Sequence, residues 1–376
     1  MAVYLDCNAT TPLDSRVRNE VLHYLTEEFG NEGSRTHDYG MRARQAVQRA
    51  RDQIAEVVNA KRDEVIFTSG ATESNNLAIL GLASHGEQTG RKHIVSSQIE
   101  HKAVLEPLES LAARGFEVTL VPPTASGWVD PAAIKAAVRK DTLLVSVMQV
   151  NNETGVRQPI EQIAETLVDH PTFFHVDAAQ GFGKEITPLR NQRVDLISVS
   201  GHKVFAPKGI GALVMRRRGY QRLPLQPLFF GGGQERGLRP GTLPVPLIVG
   251  LGLSAELALR EIIQRADACR KYRSEVLAAL APLDPIFNGD PEQTMSHVLN
   301  LSFPGLDSEA LMLALKEIVA ISNGSACTSH SYQPSHVLKA MGKTEQIIRG
   351  AIRLSWCHLT EGTDWHEVAT SIRRLR

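Results

Sequence analysis

Between residues 65 and 215 the chain alternates short, unbroken apolar runs with longer amphipathic stretches. The runs are VIFT (65–68), HIVSS (93–97), EVTLV (117–121), LLVSVMQV (143–150), FFHVD (173–177), DLISVS (195–200) and GALVM (211–215). They are rich in Val, Ile and Phe and mostly continuous, as in strands covered on both faces. Between them lie helix-like segments such as ESNNLAILGLASHG, KAVLEPLESLAARG and PIEQIAETLVDH. Strands that alternate with helices build a largely parallel sheet with crossover helices. Only GHKVFAPKGI separates the last two runs, so an antiparallel neighbour is expected there.

A chain of 376 residues exceeds one ordinary domain. We expect a large α/β domain over 16–246 and a smaller α+β domain made of 1–15 and 247–376. The second begins with a helical run over about 247–281 and holds HVLNLSFPG, LDSEALMLALKE, a small-residue loop (about 322–336) and IRLSW. Lys+Arg and Asp+Glu are both 41, which argues against a general affinity for nucleic acid or anionic membrane. The basic run RRRGYQR (216–222) reads as a solvated turn. No stretch approaches a membrane span, and MAVYLDCNATTPLD lacks the pattern of a secretory signal. The cysteines, Cys7, Cys269, Cys327 and Cys357, are scattered, which favours free thiols in a reducing cytoplasm. Cys7 reads as a structural residue at a strand start, and Cys269 as an incidental thiol in a charged helix.

Four motifs carry chemistry. In SVSGHKVFAPKGIG (198–211) a strand ends at Ser200 and a glycine turn presents His202 and Lys203. Ligands of open α/β sheets bind beyond the carboxyl ends of strands, and a lysine there can form a Schiff base with an aldehyde cofactor. A surface lysine in a turn explains this motif equally well. In FFHVDAAQG (173–181) a strand ends in Asp177, with Gln180 close behind. A carboxylate so placed suits the pyridinium nitrogen of pyridoxal phosphate, although a turn-capping aspartate is common. FTSGATESNN (67–76) runs from a strand through Ser-Gly-Ala-Thr into a helix, where unpaired N–H groups around Ala71 and Thr72 favour an anion. An ordinary helix start reads the same way. In SSQIEHKAVLEPL (96–108), His101 opens a helix and could stack on a planar cofactor and handle protons; a capping histidine is the simpler alternative.

Taken together, GATESNN, IEHKAV, NNETG (151–155), HVDAAQ, SGHK, PGTLPV (240–245) and SACTS (325–329) occur in an order and spacing that resemble the cysteine desulfurases. The resemblance is to the NifS/IscS-like branch of the class V aminotransferases, and it runs from YLDCNATTPLD to IRLSW. It implies a pyridoxal-phosphate enzyme of fold type I, with a mainly parallel seven-stranded sheet flanked by helices. Lys203 would bind the cofactor covalently, Asp177 would pair with its pyridine nitrogen, and Gln180 would reach its phenolic oxygen. His101 would stack on the ring and assist proton transfer. Ala71, Thr72, Ser200 and His202 would hold the phosphate, joined by Thr242 from the other subunit of a homodimer. Asn152 and Arg353 would hold the substrate carboxylate. Cys327 would take sulfur from L-cysteine as a persulfide and pass it to an acceptor protein.

The resemblance is incomplete at Glu32, Gln234 and Pro240, where proline, histidine and serine are common, and in HSYQPSH, with His330 and His336. Cys357 lies four positions after the carboxylate-binding arginine. The acceptor pathway therefore stays open among iron–sulfur assembly, tRNA thiolation and DNA phosphorothioation. The rival readings are a selenocysteine lyase or another class V enzyme, a Cys–His hydrolase using Cys327 and His330, and a non-catalytic scaffold. The spacing of Cys327, His330 and His336 matches no standard zinc site.

Overall fold

The structure, a computed structural model, describes residues 2–323 and 334–376. Cys327 and His330 lie outside the described residues. All seven apolar runs form strands of one sheet, in the order Val65–Thr68, Gly211–Met215, Leu196–Ser200, Phe173–Asp177, Thr142–Met148, His93–Ser97, Glu117–Val121. Gly211–Met215 is antiparallel to both its neighbours, and every other pairing is parallel. Every residue of the six strands other than Glu117–Val121 is buried. Glu117–Val121, at the sheet edge, keeps partly exposed positions. This burial is why the runs carry no polar alternation.

Six of the seven strands run the same way, so their carboxyl ends share one edge. Ser69–Thr72, His101, Asp177–Gln180 and Ser200–Lys203 all follow such ends. The crossover helices, among them Ala71–Leu80 and Lys102–Ala112, begin at that edge.

A second group of elements packs around a three-stranded antiparallel sheet of Ala351–Ser355, Val298–Ser302 and Ile286–Phe287. Alternation here has period two. Leu299, Leu301, Ile352 and Leu354 enter a core with Leu311, Leu315, Trp356 and Ile372, which leaves Asn300 and Arg353 on the other face. The N-terminal strand Val3–Tyr4 pairs in parallel with Val319–Ala320, and Asp6 bridges Ser355. Residues 6–8 are thereby fixed beside the strand that carries Arg353.

The single helical run expected over 247–281 is instead two helices, Val245–Arg260 and Ile262–Leu280. Glu261 interrupts them at φ −107°, ψ 13°, and its carboxylate accepts from Arg16 at 2.5 Å and from Arg265 at 2.9 Å. The first helix buries Ile248, Leu251 and Ala255 in the core of the large sheet. Gly252 lets it approach the helix Asp38–Val58: a Cβ there would stand 2.6 Å from the Ala50 Cα.

Candidate active site

A cavity of about 500 Å³ opens at the carboxyl edge of the large sheet. Ten of the expected site residues line it: Ala71, Thr72, His101, Asn152, Asp177, Gln180, Ser200, His202, Lys203 and Arg353. Thr242 does not line it and is exposed.

Asp177, at its strand end, is 5% exposed. Its Oδ1 accepts from the Ala179 N–H at 2.9 Å and its Oδ2 from Asn75 Nδ2 at 2.8 Å. Both oxygens are thus oriented by donors that hold the carboxylate in place. Two residues back on the same strand, His175 bridges Ser146 at 2.8 Å and Ser198 at 2.9 Å, and burial pushes its pKa down to about 4. This neutral imidazole ties three adjacent strands together beneath the site.

Lys203 Nζ donates to the backbone carbonyl of Asn8, and to that of Ala9 at 2.9 Å. Gln180 Nε2 donates to the same Asn8 carbonyl at 3.0 Å. The N-terminal segment therefore supplies main-chain acceptors for two of the predicted cofactor residues. His101 caps the helix Lys102–Ala112, its Nδ1 accepting from the Ala103 N–H at 3.0 Å. With Nδ1 an acceptor, the proton of the neutral ring sits on Nε2. Burial lowers the pKa of His101, partly offset by Asp177. The capping and chemical readings of His101 are therefore compatible.

Arg353 is 3% exposed. Its Nη2 donates to Asp6 Oδ1 at 2.6 Å and its Nη1 to the Asn152 carbonyl at 3.0 Å, while Nε is buried without a partner among the described residues. Asn8 Nδ2 donates to the same Asn152 carbonyl at 3.1 Å.

The end of the cavity at the start of the helix Ala71–Leu80 suits an anion. The helix Ala71–Leu80 starts at Gly70, whose φ of 155° suits glycine, and no side chain caps it. A Cβ on Gly70 would stand 3.8 Å from Ser200 Oγ, so the absent side chain keeps the cradle open. His202 shares a hydrogen bond of 3.1 Å with Thr10, and burial, with Lys203 beside it, lowers its pKa to about 4. The ring is therefore neutral near pH 7.

Just beyond residues 324–333, Ser335 Oγ donates to the buried Glu153 at 2.5 Å, and His336 Nε2 meets the Glu100 carbonyl at 3.0 Å. The chain re-enters the described structure beside His101. Sequence reasoning passed over Asn75, Asn8 and Asp6. Asn75 lies within GATESNN, where a buried amide on a helix was the available signal. Asn8 acts mainly through its carbonyl, which no side chain reveals.

A lysine and an oriented carboxylate on neighbouring strand ends, with an uncapped helix start lining the same cavity, make up the donor set of a pyridoxal-phosphate enzyme of fold type I. The aminotransferase class-V profile matches residues 3–365, and the chain belongs to that family. It is 47% identical to the cysteine desulfurase IscS of Methylococcus capsulatus, over 97% of this chain and 90% of the relative. Among solved structures it resembles DndA from Streptomyces lividans, with 52% identity, a TM-score of 0.83, and coverage of 92% of this chain and 97% of that one. It also resembles SspA in complex with cysteine, with 37% identity, a TM-score of 0.83, and coverage of 94% and 98%.

Proposed function

We propose that the protein is a pyridoxal-phosphate-dependent cysteine desulfurase that converts L-cysteine to L-alanine and retains the sulfur as a persulfide on Cys327. The observation that carries this reading is the convergence of Lys203, Asp177, His101 and Arg353 on one cavity. The bound cofactor supplies an electron sink that weakens the substrate Cβ–S bond. Asp177 would keep its pyridine nitrogen protonated, and Gln180 would reach its phenolic oxygen. The neutral side chains of Thr72, Ser200 and His202, with the helix start at Ala71, would hold its phosphate. Arg353 binds the substrate carboxylate through its guanidinium fork, with Asn152 beside it. Lys203 Nζ moves the Cα proton, and His101 Nε2 serves the neighbouring transfer. The Cys327 thiolate attacks the substrate sulfur, the S–Cβ bond breaks, and alanine leaves after Cβ is protonated. The role of Cys327 rests on SACTS and the family likeness.

The active form we propose is a homodimer that hands its sulfur to an acceptor protein. Thr242 is exposed outside its own cavity, and Phe230, nearby in sequence, is 89% exposed. Both observations suit a second subunit that Thr242 completes. We place the boundary between the two structural units near residue 260, because Val245–Arg260 packs in the larger core.

The test is to incubate wild type and Cys327→Ala with L-cysteine and reductant, and to measure sulfide and alanine separately. Cys327→Ala should keep the visible absorbance of the bound cofactor and lose both products. Sulfide release at the wild-type rate would sink the assignment.

A further inference from the structure

A second cavity, of about 50 Å³, shares no lining residue with the first. It is lined by Cys7, Cys269, Cys357, Lys184 and His297, among others. Cys7 and Cys357 pack together with Phe205 in one small buried cluster. Thr360 Oγ1 adds a contact of 3.8 Å to Cys357 Sγ. Lys184 directs its ammonium here, 3.4 Å from His297 Nε2. It makes no ion pair with a carboxylate among the described residues, and desolvation lowers its pKa while Cys7, Cys269 and Cys357 raise it. A desolvated ammonium whose favourable partners are thiols stabilises a thiolate.

We propose that Cys357 and Cys7 form a second reactive site, a dithiol that a hydroperoxide small enough to enter this cavity oxidises to a disulfide. The Cys357 thiolate attacks a peroxide oxygen, the O–O bond breaks, and Cys357 becomes a sulfenic acid as water or an alcohol leaves. The Cys7 thiol then attacks that sulfur, its proton departs with the hydroxide as water, and the S–S bond forms. The two thiols together lose two electrons, and the peroxide takes both. Cys357 is the attacking group. Contact with Cys7 and the hydroxyl that Thr360 directs at its Sγ lower its pKa to about 7, whereas contact with Cys357 and burial push Cys7 up. The cavity has room for a molecule of a few heavy atoms. Asp6 and Asn8, which flank Cys7, hold Arg353 and Lys203. The dithiol is thus coupled through one backbone segment to the substrate cradle.

The test uses the full-length, cofactor-loaded Cys327→Ala protein, which removes the other reactive thiol. It is treated with hydrogen peroxide, alkylated in denaturant, digested and mapped by mass spectrometry. A peptide pair joined through Cys7 and Cys357 is expected, with Cys269 alkylated. Alkylation of both Cys7 and Cys357, or a Cys269–Cys357 link in their place, overturns the proposal. Lys184→Met should slow formation of the link about tenfold; an unchanged rate overturns the role given to the ammonium. The readout is independent of turnover, so it stands apart from any failure of the desulfurase reading.

Discussion

The two cavities are built from consecutive residues of one segment yet differ in how they manage charge. Asn8 and Ala9 line the larger one, Cys7 and Thr11 the smaller. In the larger, three charged groups are directed by specific donors or acceptors: Asp177 by Asn75 and Ala179, Arg353 by Asp6, Lys203 by backbone carbonyls. In the smaller, Lys184 faces thiols and an imidazole and has no carboxylate partner among the described residues. Oriented polar partners prepare a site for a ligand that brings its own charges. A desolvated ammonium among thiols instead alters the acidity of the thiols themselves.

Lys203→Ala should produce the largest separation between the two. Turnover of L-cysteine should fall by roughly 10³-fold or more, and the absorbance of the bound cofactor should shift. Cys357 reactivity should be unchanged. A wild-type spectrum in this variant would break the assignment of Lys203.

The next effect in size is on stability in acid. His175 beneath the larger cavity has its pKa lowered to about 4 by burial, below the ordinary value of about 6.5. The fold therefore excludes a proton that the unfolded chain accepts. The stabilisation is fully present above pH 6.5 and is lost as pH falls toward and through 4, by on the order of 3 kcal/mol. His202 and His358 are lowered in the same direction. Urea unfolding at a series of pH values should show the decline, and His175→Gln should flatten part of it. An unaltered slope in that variant would locate the acid sensitivity elsewhere.

Arg353→Lys should act on binding. A lysine cannot offer the guanidinium fork or keep both the Asp6 and Asn152 contacts. The KM for L-cysteine should rise about 10- to 100-fold, with a smaller change in kcat. An unchanged KM would exclude Arg353 from carboxylate binding.

These contrasts also explain what the sequence could disclose. The strands were legible because they are short, apolar and buried on both faces, and the site residues because Asp177, Lys203 and Ser200 stand at or just past strand ends. Arg353 was recognised through family likeness, yet its partner Asp6 lies 347 positions away and only topology joins them. The break at Glu261 was hidden for a similar reason: the carboxylate is held by Arg16, far upstream, and helical periodicity continues on both sides. The thiol cavity was the least legible. Cys7 looked like packing and Cys269 incidental, because no local spacing signals three cysteines gathered from residues 7, 269 and 357.

The smallest effect bears most directly on that cavity. Cys357 is lowered to about 7, and Cys269 is pushed up to about 12 by burial. Alkylation follows the thiolate fraction. A group titrating near 7 goes from mostly thiol to mostly thiolate between pH 6 and pH 8, so its reaction rate should rise about tenfold over that span. Cys269, far below its own pKa, stays a thiol throughout and should react slowly. Iodoacetamide labelling of the folded Cys327→Ala protein, resolved by peptide mapping, measures both rates at once. The sign is fixed by the physical cause: contact with Cys7, the hydroxyl of Thr360 and the nearby Lys184 favour the charged form of Cys357, while Cys269 has desolvation as its dominant influence. If the two cysteines label at equal rates across that range, the small cavity does not distinguish its thiols, and the contrast between the cavities reduces to one of size.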